Sequence, residues 1–63
     1  MKLYALTEAG KVAAKREGDD EEMKVLHFIK EHRTATAEEL EVVAGSYVGK
    51  RLVRSGLVKE LTN

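Results

Sequence analysis

The stretch Thr34–Leu57, TATAEELEVVAGSYVGKRLVRSGL, reads as two short helices separated by one tight turn. Thr36 is placed to cap the first helix, and Glu39, three residues on, can reach back to the capping residue's backbone amide, the two halves of a capping box. Leu40, Val43 and Ala44 then share one face at three- and four-residue spacing, and Gly45 stands where a helix ends in a left-handed residue. Ser46 can cap a second helix, Tyr47 to Ser55, with Val48 and Leu52 on one side and Tyr47, Lys50, Arg51 and Arg54 on the other. Gly56 ends that helix ahead of an apolar run, Leu57 to Leu61, that alternates as a strand does.

Around this stretch the chain is short, 63 residues, which is one domain over 1–63 and a small core. Without cysteine it has neither a disulfide framework nor a thiolate zinc site, so packing or association of copies must supply its stability. Eleven cations balance eleven acids, so the whole chain is not drawn to polyanions. The distribution is uneven, however: Gly45 to Lys59 holds Lys50, Arg51, Arg54 and Lys59 and no acid. There is no apolar run of membrane-spanning length and no signal-peptide core after Met1-Lys2, so the expectation is a cytoplasmic protein with no membrane partner.

Upstream, Lys2 to Leu6 alternates as an edge strand. Thr7 can cap a helix running from Glu8 to about Arg16, in which Gly10 costs roughly 1 kcal/mol relative to alanine, and Gly18 closes it. The acidic run Asp19 to Glu22 then suits the amides and the positive dipole end at the start of a helix that reaches His32. Its Val25, Leu26, Phe28 and Ile29, with Met23 a turn earlier, form the densest apolar cluster and make it the central core helix. Arg33 to Ala35 reads as a linker, and Leu57 to Leu61 as a strand that pairs with Lys2 to Leu6. The expected fold is mainly α with a small two-stranded β ribbon (α+β), a helix-turn-helix whose wing is reduced or absent.

Several chemistries are weighed and set aside. Asp19 to Glu22 does not have the spacing of a calcium loop, and helix capping accounts for it. His27, Glu31 and His32 come from a single helix and lack the zincin spacing. With no cysteine nucleophile, no glycine-rich phosphate loop and no serine beside a base, the expectation is no enzyme, no metal and no cofactor. Gly49, inside the second helix, permits close approach either of a nucleic-acid strand or of the preceding helix, and close helix packing is favoured. A helix with a basic outer face presented by a capped helix behind it is, by contrast, the arrangement that enters a DNA major groove.

With the capped helices and the closing GLVKEL (Gly56–Leu61) in view, the chain resembles the winged helix-turn-helix superfamily over Glu21 to Leu61. LTEAG at Leu6–Gly10 is similar to the Leu-Thr-x-x-Gly element that many such regulators carry after their wing; here it comes first. That order resembles the N-terminal winged-helix modules of archaeal and eukaryotic phenylalanyl-tRNA synthetase alpha subunits, although Gly49 is followed by Lys50 and Arg51 where an aromatic is usual. The resemblance implies a nucleic-acid-binding module with Tyr47, Lys50, Arg51 and Arg54 at recognition-helix positions; Lys59 extends the basic set. The resulting expectation is a small DNA-binding regulator or chromosome-associated factor acting on duplex DNA, as a homodimer. Two alternatives stand beside it: a module for tRNA or other structured RNA, and a protein-interaction module in which the Leu3, Tyr4 and Leu61 edge pairs with a partner strand.

Overall fold

The structure, a computed structural model, describes residues 2–61, with the side chain of Ser46 outside the described set. In chain order the elements are β1 (Leu3–Leu6), α1 (Glu8–Ala13), α2 (Glu21–His32), β2 (Thr34–Thr36), α3 (Ala37–Ala44), α4 (Ser46–Arg54) and β3 (Val58–Leu61). Four helices therefore accompany a three-stranded antiparallel sheet of order β2-β1-β3, an α+β arrangement. No described helix is long and apolar enough to cross a membrane.

The expected ribbon of two strands is thus corrected to a sheet of three, and the expected linker at Arg33–Ala35 is in part a strand. Thr34–Thr36 pairs with Ala5–Leu3, so β1 is the central strand and not an edge. Three residues are too few to carry a period-two signal, and pairing on both sides of β1 depends on segments far apart in sequence. Register sorts the faces: Tyr4 and Leu6 lie opposite Glu60 and Val58, while Leu3 and Ala5 lie opposite Leu61 and Lys59. Tyr4, Leu6, Ala35 and Val58 are buried, so the first set faces the helices and the second faces outward.

The hub is α2, as its apolar density indicates. Asp20 Oδ1 accepts from the Met23 amide at 2.8 Å to start it, with Glu21 and Glu22 in the first turn. Val25, Leu26 and Ile29 are fully buried. Phe28, expected among them, is half-buried: it packs against the core's edge and also stacks on His32, with ring centroids 4.2 Å apart. At about 100° per residue Phe28 falls on the flank that His32, four on, shares.

The two helices of the deciding stretch form with the expected cap. Glu39 N–H donates to Thr36 Oγ1 at 3.1 Å and Thr36 N–H to Glu39 Oε1 at 2.8 Å, a complete capping box. Gly45 joins α3 to α4 at φ 95°, ψ 165°, which is positive as expected but lies in the glycine-only extended region and not in the left-handed helical one. It also takes the N-cap position of α4, so Ser46 is the first helical residue and not the cap. At the other end Gly56, at φ 84°, donates to Val53 O and Leu57 donates to Leu52 O, the paired bonds of a Schellman motif. Gly49 resolves in favour of packing: a Cβ there would stand 3.3 Å from Leu40 Cδ1, so its bare backbone brings α4 against α3.

Helix α1 is shorter than expected, ending at Ala13 with Ala14 as its cap and not running to Arg16. Lys15 and Arg16 bond back to Val12 and Ala13 in tighter three-residue turns. Its small apolar face gives little burial, and Val12 is exposed. What anchors it is a lock to the end of α4. Thr7 N–H donates to Leu57 O at 3.1 Å and Thr7 Oγ1 to Gly56 O at 2.6 Å, while Thr7 Oγ1 also accepts from Gly10 N–H at 3.0 Å. The Leu57 carbonyl oxygen lies 1.9 Å from where a Cβ on Gly10 would sit.

Helix propensity alone predicts that Gly10→Ala stabilises the protein by about 1 kcal/mol. The contact with Leu57 predicts the reverse, a loss of about 1–3 kcal/mol or more because backbone must move. We expect the loss, read as a fall in Tm of at least about 4 °C in thermal unfolding followed by circular dichroism.

Candidate nucleic-acid interface

Helix α4 divides as its sequence indicates. Val48 and Leu52 are buried, and Gly49 is buried against α3. Tyr47, Lys50, Arg51 and Arg54 follow at three- and four-residue steps along the opposite side, covering an arc of about 100°. All four are exposed, Tyr47 to 78%. The inner side chains fix the helix's rotation, and that rotation holds the basic stripe outward.

The neighbours of the stripe come from elsewhere in the chain. Along one flank Arg51 Nη2 lies 3.5 Å from Glu22 Oε2 in the first turn of α2, with 68% of the arginine side chain still accessible. Along the other flank Lys50 and Arg54 border a hollow with Lys2, Tyr4, Val53 and Glu60. Glu60 is itself 4.0 Å from Lys2. The acid-free run from Gly45 to Lys59 is therefore acid-free in sequence only: Glu22 draws on Arg51, and Glu60 stands beside Lys50 and Arg54. Among the described residues Lys50 and Arg54 make no ion pair within 4.0 Å.

Two placements could not be read from the chain. Lys2 joins the Lys50–Arg54 hollow because β1 runs beside β3, and nothing in its own surroundings signals that. Lys59, grouped with the basic set by proximity in sequence, pairs with Ala5 on the outward sheet face and borders a different hollow with α1 and α2. One strand residue separates it in direction from Glu60, which shares the helix-facing side with Tyr4. The stripe on α4 is thus Tyr47, Lys50, Arg51 and Arg54, with Lys2 as its added cation.

The histidines weighed as ligands are engaged otherwise. His27 Nε2 is 2.8 Å from Arg16 O, and His32 Nδ1 is 2.9 Å from Phe28 O. With its proton on Nε2, His27 donates to the turn after α1 and ties that turn to α2. Among the described residues no three histidine or carboxylate side chains converge as a metal site would require.

Compared with models of protein families, with curated proteins and with solved structures, the chain matches none.

The Glu22–Arg51 pair is open to solvent, so its direct contribution to stability is well under about 1 kcal/mol after screening. A double-mutant cycle with Glu22→Gln and Arg51→Gln in thermal unfolding should return a coupling that small. It should vanish at about 1 M salt, where the Debye length falls to about 3 Å.

Proposed function

We infer that this protein binds nucleic acid through the outer face of α4, with duplex DNA as the preferred polymer. The observation that carries the reading is the rotation of α4: Val48, Gly49 and Leu52 are turned inward, leaving Tyr47, Lys50, Arg51 and Arg54 as one continuous solvent-facing stripe. Two helices joined through a single residue, the first closed by a capping box, match the helix-turn-helix plan, in which the second helix lies in the major groove. The Gly56–Leu61 step carries the winged-helix resemblance. Lys50 and Arg54 are the cations best placed for phosphates, and the Tyr47 hydroxyl can donate to another.

The energetics favour a modest interaction. Three side-chain cations that neutralise phosphates release about three counterions, a log–log salt slope of about −3, too shallow for one copy to hold a site firmly at physiological salt. A homodimer, which doubles the contacts, answers that weakness. Structured RNA is the second reading, favoured by the shortness of α4: nine residues span about 14 Å, which suits contacts along a backbone better than deep groove reading. For the strand-pairing alternative, Leu3 and Tyr4 lie on the enclosed central strand, whereas Leu61 stands on the edge strand β3.

A salt titration of binding to duplex DNA tests this directly. We expect a slope near −3, flattened by about 1 in each of Lys50→Ala and Arg54→Ala. Glu22→Gln, by releasing Arg51, should tighten binding. Slopes unmoved by either cation substitution would overturn the reading, and tRNA that outcompetes the duplex at equal phosphate concentration would transfer it to RNA.

A further inference from the structure

A second cationic feature lies away from α4 and shares no residue with the stripe. Where β1 ends, beside the last turn of α2, an open hollow of about 480 Å³ is floored by Ala5, Leu6, Ile29 and Leu61. Its rim is Lys11 from α1, Lys30 and Arg33 from the end of α2, and Lys59 from β3. Among the described residues no carboxylate borders it. In a chain of zero net charge, four cations converge from three separate elements on one apolar floor.

The charges there are largely unspent. Lys11 is 3.6 Å from Glu8, on its own helix, but among the described residues Lys30, Arg33 and Lys59 have no carboxylate within 4.0 Å. Glu60, adjacent to Lys59 in sequence, is directed to the opposite sheet face by the register. Cations at the end of α2 complement its dipole, which accounts for Lys30 and Arg33 alone. It does not account for Lys11 and Lys59 meeting them beside the partly exposed Ala5 and Leu61.

Arg33 adds an observation of its own. It caps α2 at φ 72°, ψ −44°, and is the one non-glycine among the described residues with positive φ. This backbone lies near the strained γ-turn region, and glycine is the residue that takes a positive φ at a helix end without cost. An arginine at this position carries strain that its guanidinium must justify, and strain of this kind collects at ligand sites.

We propose that this groove binds a small amphipathic anion, a carboxylate or phosphate monoester carried on an apolar body. The apolar body lies on Ala5 and Leu61, with Leu6 and Ile29 beneath, and the anionic head is held by Arg33, Lys30 and Lys59. The volume is within the range of about 300–1,000 Å³ typical of small-ligand sites, and the composition has their form, an apolar lining with a few convergent polar groups. Arginine supplies the planar fork that matches either head group.

The test titrates the full chain, labelled with ¹⁵N, with decyl phosphate and separately with decanoate, both below their micelle concentrations. Saturable amide shifts at residues 5–6, 29–33 and 59–61 are expected with both. Lys30→Ala with Lys59→Ala, and separately Arg33→Gly, should weaken binding by about tenfold or more. Inorganic phosphate and decanol, each with half of the recognised chemistry, should bind far more weakly, and decyltrimethylammonium not at these residues. Arg33→Gly removes the strain, so its Tm should hold or rise while its affinity falls, a combination that misfolding does not produce. Lys50→Ala with Arg54→Ala should leave the anion's affinity unchanged, which separates this site from the α4 stripe. The proposal is overturned if the shifts fall elsewhere, if the cationic amphiphile binds as well, if the groove substitutions leave affinity unchanged, or if duplex DNA displaces decyl phosphate from these residues.

Discussion

The carbonyl of Leu57 occupies the space in which a side chain at position 10 would begin, and Thr7 holds it there through its amide while its hydroxyl takes the neighbouring Gly56 carbonyl. These few atoms join the first helix to the end of the last across 49 residues of chain. That closure holds β1 alongside the start of β3, while the end of α4 is set locally by the Schellman turn at Gly56. Without it α1, a helix of six residues with a small apolar face, has little to keep it formed. The Leu6–Gly10 element, noted first as a resemblance, thus has a physical content: a cap, a second hydroxyl bond and a bare backbone, each required by the same contact.

From this closure two surfaces follow, of different character. The stripe on α4 is a consequence of burial: once Val48 and Leu52 are inside, helical geometry dictates what is outside. The groove beside α2 is a consequence of convergence: its cations are distant in sequence and meet only because the sheet register places Lys59 over the end of α2's neighbourhood. The same register that gives Lys59 to the groove gives Glu60 to the hollow beside α4, so a strand of four residues supplies opposite charges to two sites on opposite faces.

Local signals were legible wherever a single segment carried the whole reason for them. The Thr36–Glu39 box, the Thr7 cap, the acidic start of α2, the stop at Gly56 and the inward face of α4 all depend on residues within a turn or two of one another. The failures share a different cause. The length of α1 depended on contacts its sequence does not contain, and Thr34–Thr36 became a strand because β1 offered it a partner. Gly10 looked like a propensity cost when it is a packing requirement. The local run of bases without acids also misled in part, since Glu22 and Glu60 reach the stripe from outside that run.

What the sequence by itself determined was the set of helices, the caps at Thr7 and Thr36 and the side of α4 that faces water, because short-range hydrogen bonds and a 3.6-residue period are written in consecutive residues. What only the tertiary structure decided was which strand is central, which acids stand beside Arg51 and Arg54, and that Lys11, Lys30, Arg33 and Lys59 surround one apolar floor. Those depend on strand register and on the Gly10–Leu57 closure, and both are set by contacts between segments far apart along the chain, where no local pattern records them.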